Sequence, residues 1–204
     1  MISHRRDGTV TAAGCFTAAV SITEDDDDIS PDALSVLRRD HRLAEELFTE
    51  FARSAPQQLD PLARRICKML RVHTQIEEEL FYPAVSRALT DDVSESPLLA
   101  DAAREHAQAK ETIVRIESMT SDAAGFRDEV AQLARQIGEH VAKEEQELFP
   151  QVQTTTIDLA ALGVALAERR DTLLDVLGLH GDDEEGAANQ RETHPRDDRS
   201  QAKA

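Results

Sequence analysis

The chain has no tryptophan, one tyrosine and six phenylalanines in 204 residues. A core must therefore be filled mainly by Leu, Ile, Val and Ala. With abundant Glu and Arg, that composition favours helices packed on helices over a sheet. Cysteine is scarce as well: Cys15 and Cys67 form no Cys-x-x-Cys spacing, so no disulfide framework or thiolate zinc site can be argued from them. Positive charge is outnumbered, 23 Lys and Arg against 40 Asp and Glu, for a net charge of −17. Between residues 30 and 180 the balance is 17 basic to 27 acidic, a net of −10. So acidic a surface, without a basic stripe, argues against nucleic acid or an anionic membrane as partner. No run approaches the roughly 20 apolar residues that cross a bilayer. Arg5-Arg6 precedes the weakly apolar VTAAGCFTAAVSI, with Ala-Gly-Cys15 as a poor lipoprotein box. That stretch is short and interrupted by Thr, Gly and Ser, so the cytoplasm is the expected location.

What is present is regular. Residues 1–29 end in the acidic run Glu24 to Asp28 and read as a disordered arm, and residues 181–204 hold little to bury and read as a disordered tail. His4, His180 and His194 fall in or beside these ends and are given no site role. In between, Ser30-Pro31, Asp60-Pro61 and Ser96-Pro97 each suit an N-cap followed by proline at the first helical position. Apolar seams follow at steps of three and four. They run through Leu34, Leu37, His41, Ala44, Phe48 and Phe51; through Leu62, Ile66, Met69, His73, Ile76 or Glu77, and Leu80; through Leu99, Ala102, His106, Ala109, Ile113 and Ile116; and through Phe126, Val130, Leu133, Ile137, His140, Glu144 and Leu148. Short breaks near 54–59, 90–96 and 120–125 let neighbouring helices run antiparallel. The fold expected is all-α: an up-and-down four-helix bundle over residues 30–153, with a further helix in 154–180 packed outside it. Pro83 and Pro150 are expected to curtail or bend their helices.

The chain also repeats itself. HTQIEEELFYP at 73–83 and HVAKEEQELFP at 140–150 carry the same histidine, glutamates, aromatic and proline, and His41 to His106 keeps nearly the same interval. Each of the four seams thus holds one histidine near mid-length. Glu77 and Glu144 follow His73 and His140 by four residues, about 40° round the helix and roughly 6 Å along it. Four imidazoles and two carboxylates converge on one interior volume. An unpaired buried carboxylate costs several kcal/mol unless it is neutralised or bound to a cation, and no arginine occupies those seams at that level. The pattern predicts a metal centre. Imidazole and carboxylate without thiolate suit iron, manganese or zinc, and six side chains suit two octahedral ions with bridging carboxylates better than one tetrahedral zinc.

His41, His73-x-x-x-Glu77-Glu78, His106 and His140-x-x-x-Glu144-Glu145, each His-Glu phrase closing in aromatic-Pro, resemble the haemerythrin-like, or HHE cation-binding, proteins over about residues 30–153. The resemblance implies a four-helix bundle holding a non-haem di-iron centre that reacts with dioxygen or related small molecules. It implies two iron ions, one on His41 and His73 and the other on His106 and His140, bridged by Glu77 and Glu144. Oxygen carriers of the family have a further histidine four residues after the one on the third helix. Lys110 stands there, leaving a more open centre and placing reversible oxygen carriage in doubt; the lysine is expected to snorkel or to pair with an acid. Haemerythrins proper place the fourth-helix carboxylate at the spacing of Glu145, but Glu144 is preferred because the two halves then agree, with Glu145 turned outward. Glu147 is read as solvated or capping, Tyr82, Phe149 and Cys67 as packing residues. The function expected is peroxide decomposition of a catalase-like kind. The alternatives are a non-catalytic module binding oxygen, nitric oxide or iron, and a metal-free structural bundle. The partners expected are those small molecules, with a monomer or weak homodimer.

Overall fold

The protein is described by a computed structural model over residues 32–89 and 96–178. The proposed disordered ends, Ser30, Pro31, Cys15 and the histidines at 4, 180 and 194 lie outside these residues. Helix α1 (Ala33–Arg53) is opened by Asp32, whose carboxylate accepts the Ser35 N–H at 2.8 Å, two residues later than the expected Ser30 cap. Its buried face passes through Leu34, Leu37, His41, Ala44, Leu47 and Phe51. Leu47, not Phe48, sits on the seam, and Phe48 is left half-buried.

A turn of 3₁₀ helix at Pro56–Gln58 leads into α2 (Leu59–Ile76), so Asp60 lies inside the helix instead of capping it. Its carboxylate instead accepts the Ser121 hydroxyl at 2.6 Å, tying the start of α2 to the chain just beyond α4 (Pro97–Glu117). Arg127, at the start of α5 (Phe126–Lys143), likewise donates to the Ser54 carbonyl beyond the end of α1. Both ties join the start of one helix to the end of another, as antiparallel neighbours require. Contacts run α1 to α2, α2 to α4, α4 to α5 and α5 back to α1, which closes a four-helix bundle.

Neither proline ends its helix. After α2 the chain makes one π-helical turn at Glu77–Phe81 and continues as α3 (Tyr82–Leu89). After α5 it makes a second at Glu144–Leu148 and continues as α6 (Phe149–Val152). The Tyr82 N–H reaches back five residues to the Glu77 carbonyl, and the Phe149 N–H to the Glu144 carbonyl. A proline ring crowds the carbonyl four residues before it. The wider turn just ahead of Pro83 and Pro150 accommodates that crowding without breaking the helix.

Helix α7 (Leu159–Leu177) begins at Asp158, which accepts the Ala161 N–H at 2.9 Å, and stops at Gly178 with φ +67°. It packs on α1 and α2 through Leu166, Leu173 and Leu174. No helix among the described residues is long and apolar enough to cross a membrane. The apolar interior falls into two layers. One gathers Leu34, Leu37, Ile76, Phe81, Phe149 and Leu166; the other gathers Leu47, Ile66, Leu70, Ile113, Phe126 and Leu133. On each of the four bundle helices the seam histidine lies between them.

Candidate metal centre

Between the two apolar layers lies a polar one. His41, His73, His106, His140, Glu77 and Glu144 are all buried, none more than 6 % exposed. Their donor atoms fall into two groups within 4.8 Å: His41, His73, Glu77 and Glu144 form one, and Glu77, His106 and His140 the other. Glu77 belongs to both, its Oε2 lying 3.2 Å from His73 Nε2 and 3.3 Å from His106 Nε2. Glu144 also spans the site, with Oε2 3.4 Å from His41 Nε2 and 3.6 Å from His140 Nε2.

A carboxylate lies behind each imidazole. Glu145 Oε1 is 2.8 Å from His41 Nδ1, Glu78 Oε1 is 3.0 Å from His106 Nδ1, and Glu105 Oε2 is 3.1 Å from His140 Nδ1. Asp40 Oδ2 stands 3.7 Å from His73 Nδ1, too far for a hydrogen bond. Three of these acids hold a cation of their own: Asp40 takes Arg170, Glu78 takes Lys110 and Glu105 takes Lys143. An Nδ1–H pointed at a carboxylate leaves Nε2 as the lone-pair donor, the state a metal-binding imidazole needs.

Five buried atoms facing the centre have no hydrogen-bond partner: His41 Nε2, His73 Nε2, Glu144 Oε2 and both carboxylate oxygens of Glu77. Orphaned acceptors and imidazole nitrogens in one dry volume fit a bound cation. The electrostatics agree. Burial pushes Glu77 up, but charge from His73, then His106 and His140, outweighs it and holds the carboxyl well below its usual range. Burial disfavours the charged His41 and His106, yet both are raised to about 9, His41 chiefly by Glu144 and Glu77 and His106 chiefly by Glu77 and Glu78. His140 is lowered, burial outweighing the attraction of Glu144 and Glu77. Two carboxylates thus recruit protons where no other cation neutralises them, and a metal ion would displace those protons.

Residues 32–152 match the hemerythrin HHE cation binding domain. The chain belongs to that family. It is 31% identical over 145 residues to a DNA nickase of a Nostoc species, 70% of this chain and 40% of that protein, so it spans two fifths of that relative's length. Among solved structures, a hemerythrin HHE cation-binding domain-containing protein from Mycobacterium kansasii aligns with a TM-score of 0.59 and 25% identity. The alignment covers 70% of this chain and 87% of that one.

Within this haemerythrin-like site Glu145 and Tyr82 depart from the sequence reading, while Lys110 finds its acid and Phe149, Cys67 and Glu147 stand as read. Glu145 is not simply outward: 35% exposed, it closes on the back of His41. Lys110 pairs with Glu78, both N–O distances being 2.6 Å. Tyr82 is more than packing. Its hydroxyl donates to Glu144 Oε1 at 2.8 Å and lies 3.3 Å from His106 Nε2, and burial first, then Glu77 and Glu144, pushes its ionisation well above the ordinary value. Phe149 does pack, stacked on His41 with ring centroids 5.9 Å apart and planes 8° apart. Glu147 is exposed. Cys67 is buried and its thiol is pushed up to about 12, mainly by burial, which makes it inert at neutral pH.

Asp40 and Glu105 were missed. The signal was present: an acid precedes both His41 and His106, repeated at the same interval as the histidines. A cleft of about 570 Å³ between α1 and α5 opens onto His41 and Glu145, walled by Ala44, Phe48, Ile137 and Gly138. A Cβ built on Gly138 would meet nothing within 4 Å.

Proposed function

We propose that this protein holds two iron ions between its four bundle helices and decomposes hydrogen peroxide in a catalase-like manner. His41 and His73 would hold one ion and His106 and His140 the other, with Glu77 and Glu144 bridging. The observation that carries the reading is the set of orphaned carboxylate and imidazole atoms aimed at one dry centre. A pair of iron ions there would supply and accept the two electrons that interconvert peroxide with water or with dioxygen.

The protein's own groups supply the rest. The carboxylates behind His41, His106 and His140 fix the imidazole tautomers. Tyr82 stays a neutral phenol and donates its one proton to Glu144 Oε1, which leaves the phenol oxygen able to accept from a peroxide O–H arriving at the His106 side. The cleft at His41 and Glu145 admits molecules the size of peroxide. Lys110, engaged by Glu78, leaves the third helix with one histidine in the layer and the centre correspondingly open. A net charge of −17 repels a phosphate backbone, which favours small-molecule chemistry over the nicking activity in the Nostoc relative's name.

The test is oxygen evolved from peroxide by the iron-loaded protein, with metal content measured on the same sample. Two ions per chain and turnover far above that of free iron are expected. Turnover no better than free iron, with two ions bound, overturns the enzyme reading in favour of a module binding oxygen, nitric oxide or iron. Less than about one ion per chain overturns the centre itself.

A further inference from the structure

The four acids behind the histidines are related by the duplication, but their cations are not. Lys110 and Lys143 lie on the bundle helices, and their side chains are 39% and 50% exposed. Arg170 belongs to α7, beyond the residues that match the family. Its side chain is 12% exposed, and its Nε donates to Asp40 Oδ1 at 2.9 Å, with Asp40 itself 2% exposed.

We propose that Arg170 is a positioning residue of the metal centre, holding Asp40 behind His73 so that the cation on the His41–His73 side is retained. The inference rests on the two-cation reading above. His73 Nδ1 is the one seam-histidine Nδ1 without a hydrogen-bond partner among the described residues, and Asp40 Oδ2, at 3.7 Å, is the carboxylate that faces it. How near that oxygen comes is set by the arginine gripping the other one. Buried as it is, Asp40 has little water to replace a lost partner, whereas Glu78 and Glu105 lie at exposed ion pairs of the kind that contribute little. The grip is anchored: Leu166, Leu173 and Leu174 bury α7 against the bundle, Arg169 pairs with Glu79 in the first π turn, and Lys68 donates to the Leu177 carbonyl. Helix α7 is thereby a strap across one half of the centre, and the family's domain alone would lack it.

The test uses the cation-free full chain titrated anaerobically with cobalt(II), whose visible absorption reports each site's ligand field. Outer partners of ligating histidines are worth about 10–100-fold in metal affinity. Arg170→Met should weaken one of two cobalt sites about tenfold and alter its absorption, leaving the other as in wild type. Arg170→Lys should restore most of the loss. Leu59→Ala, a buried truncation at the start of α2 about 20 Å along the helix from His73, should lower Tm while affinity stays within about twofold. Asp40→Asn should weaken the same site, and combining it with Arg170→Met should add little; this pair serves if Arg170→Met alone folds poorly.

Wild-type affinity and spectrum in Arg170→Met, or equal losses from Arg170→Met and Leu59→Ala, would overturn the proposal. A wild-type chain that binds one cobalt would instead count against the two-cation reading, and the Arg170→Met to wild-type affinity ratio at that site would still decide the role of Arg170.

Discussion

Removing the metal should make the stability of this protein strongly alkali-sensitive. In the cation-free protein His41 and His106 titrate at about 9 in place of 6.5. A group whose folded value is raised contributes stability that is complete below its unfolded pKa and is lost as pH rises through the folded one. The window is therefore pH 6.5 to about 9. Each shift corresponds to on the order of 3 kcal/mol. Both imidazoles draw on Glu77 and Glu144, so their joint contribution is less than twice that, about 3–5 kcal/mol. Measured against a typical total of about 5–15 kcal/mol, this is a large share. At about 2–4 °C per kcal/mol for a chain of this size, Tm of the chelator-treated protein should fall by about 6–20 °C between pH 7 and 10. His140, lowered by burial, acts in the opposite sense and erodes stability as pH falls through 6.5, which places the optimum near neutrality. With metal bound the two protons are already displaced. The loaded protein should then show little of this slope, and loading at pH 7 should release about two protons per chain. Thermal melts of both forms across the pH range, with proton release measured by calorimetry in two buffers, test the argument. Parallel melting curves, or loading without proton release, would refute it.

Other substitutions probe separate parts of the structure. Glu144→Gln should leave the protein with less than about one ion per chain, whereas Glu145→Gln should keep both at roughly tenfold lower affinity; equal metal loss would show that the inner and outer glutamates are wrongly assigned. Gly138→Leu, projecting into open space from mid-helix, should not lower Tm, since glycine there forfeits about 0.5–1 kcal/mol of helix propensity. It should leave metal content intact and slow peroxide turnover several-fold; unchanged turnover would place the entry route elsewhere. Phe81→Ala, at a fully buried ring packed edge-on to Phe149 with centroids 5.8 Å apart, should cost about 3–5 kcal/mol by urea denaturation. A loss under 1 kcal/mol would mean that this layer relaxes freely.

The inner residues were legible because burial of a charged or polar group against an apolar period is improbable, and four seams made it at one level. Glu77 and Glu144 stood out at i+4 from their histidines for the same reason. The outer residues were not legible from helical period alone. Asp40 and Glu105 occupy positions one residue from the seam, where acids are ordinarily solvated, and only the fold brings them behind His73 and His140. Tyr82 was hidden differently. Counted along a regular helix, the ninth residue after His73 gave no reason to place its hydroxyl on Glu144, and the π turn between them changes that phase. Arg170 could not have been found by repeat, because α7 has no counterpart in the first half.

The π turns also account for the glutamate doublets. On an ideal helix consecutive residues diverge by about 100°, and the i+5 position turns away from the histidine that precedes it. A π turn holds more residues per revolution, so successive side chains diverge less. The seam slips accordingly: Leu80 and Glu147, seven residues after their histidines, are half-buried and exposed, while Phe81 and Leu148, eight after, are buried. Within that slip, consecutive glutamates grip one imidazole of a neighbouring helix by both edges. His106 has Glu77 at Nε2 and Glu78 at Nδ1; His41 has Glu144 at Nε2 and Glu145 at Nδ1. The first glutamate of each doublet faces the dry centre proposed to hold the cations, and the second stands where it would set the tautomer of the ring between them. A doublet followed by aromatic-Pro is then one device, in which the proline favours the wide turn and the wide turn lets both carboxylates reach the same histidine.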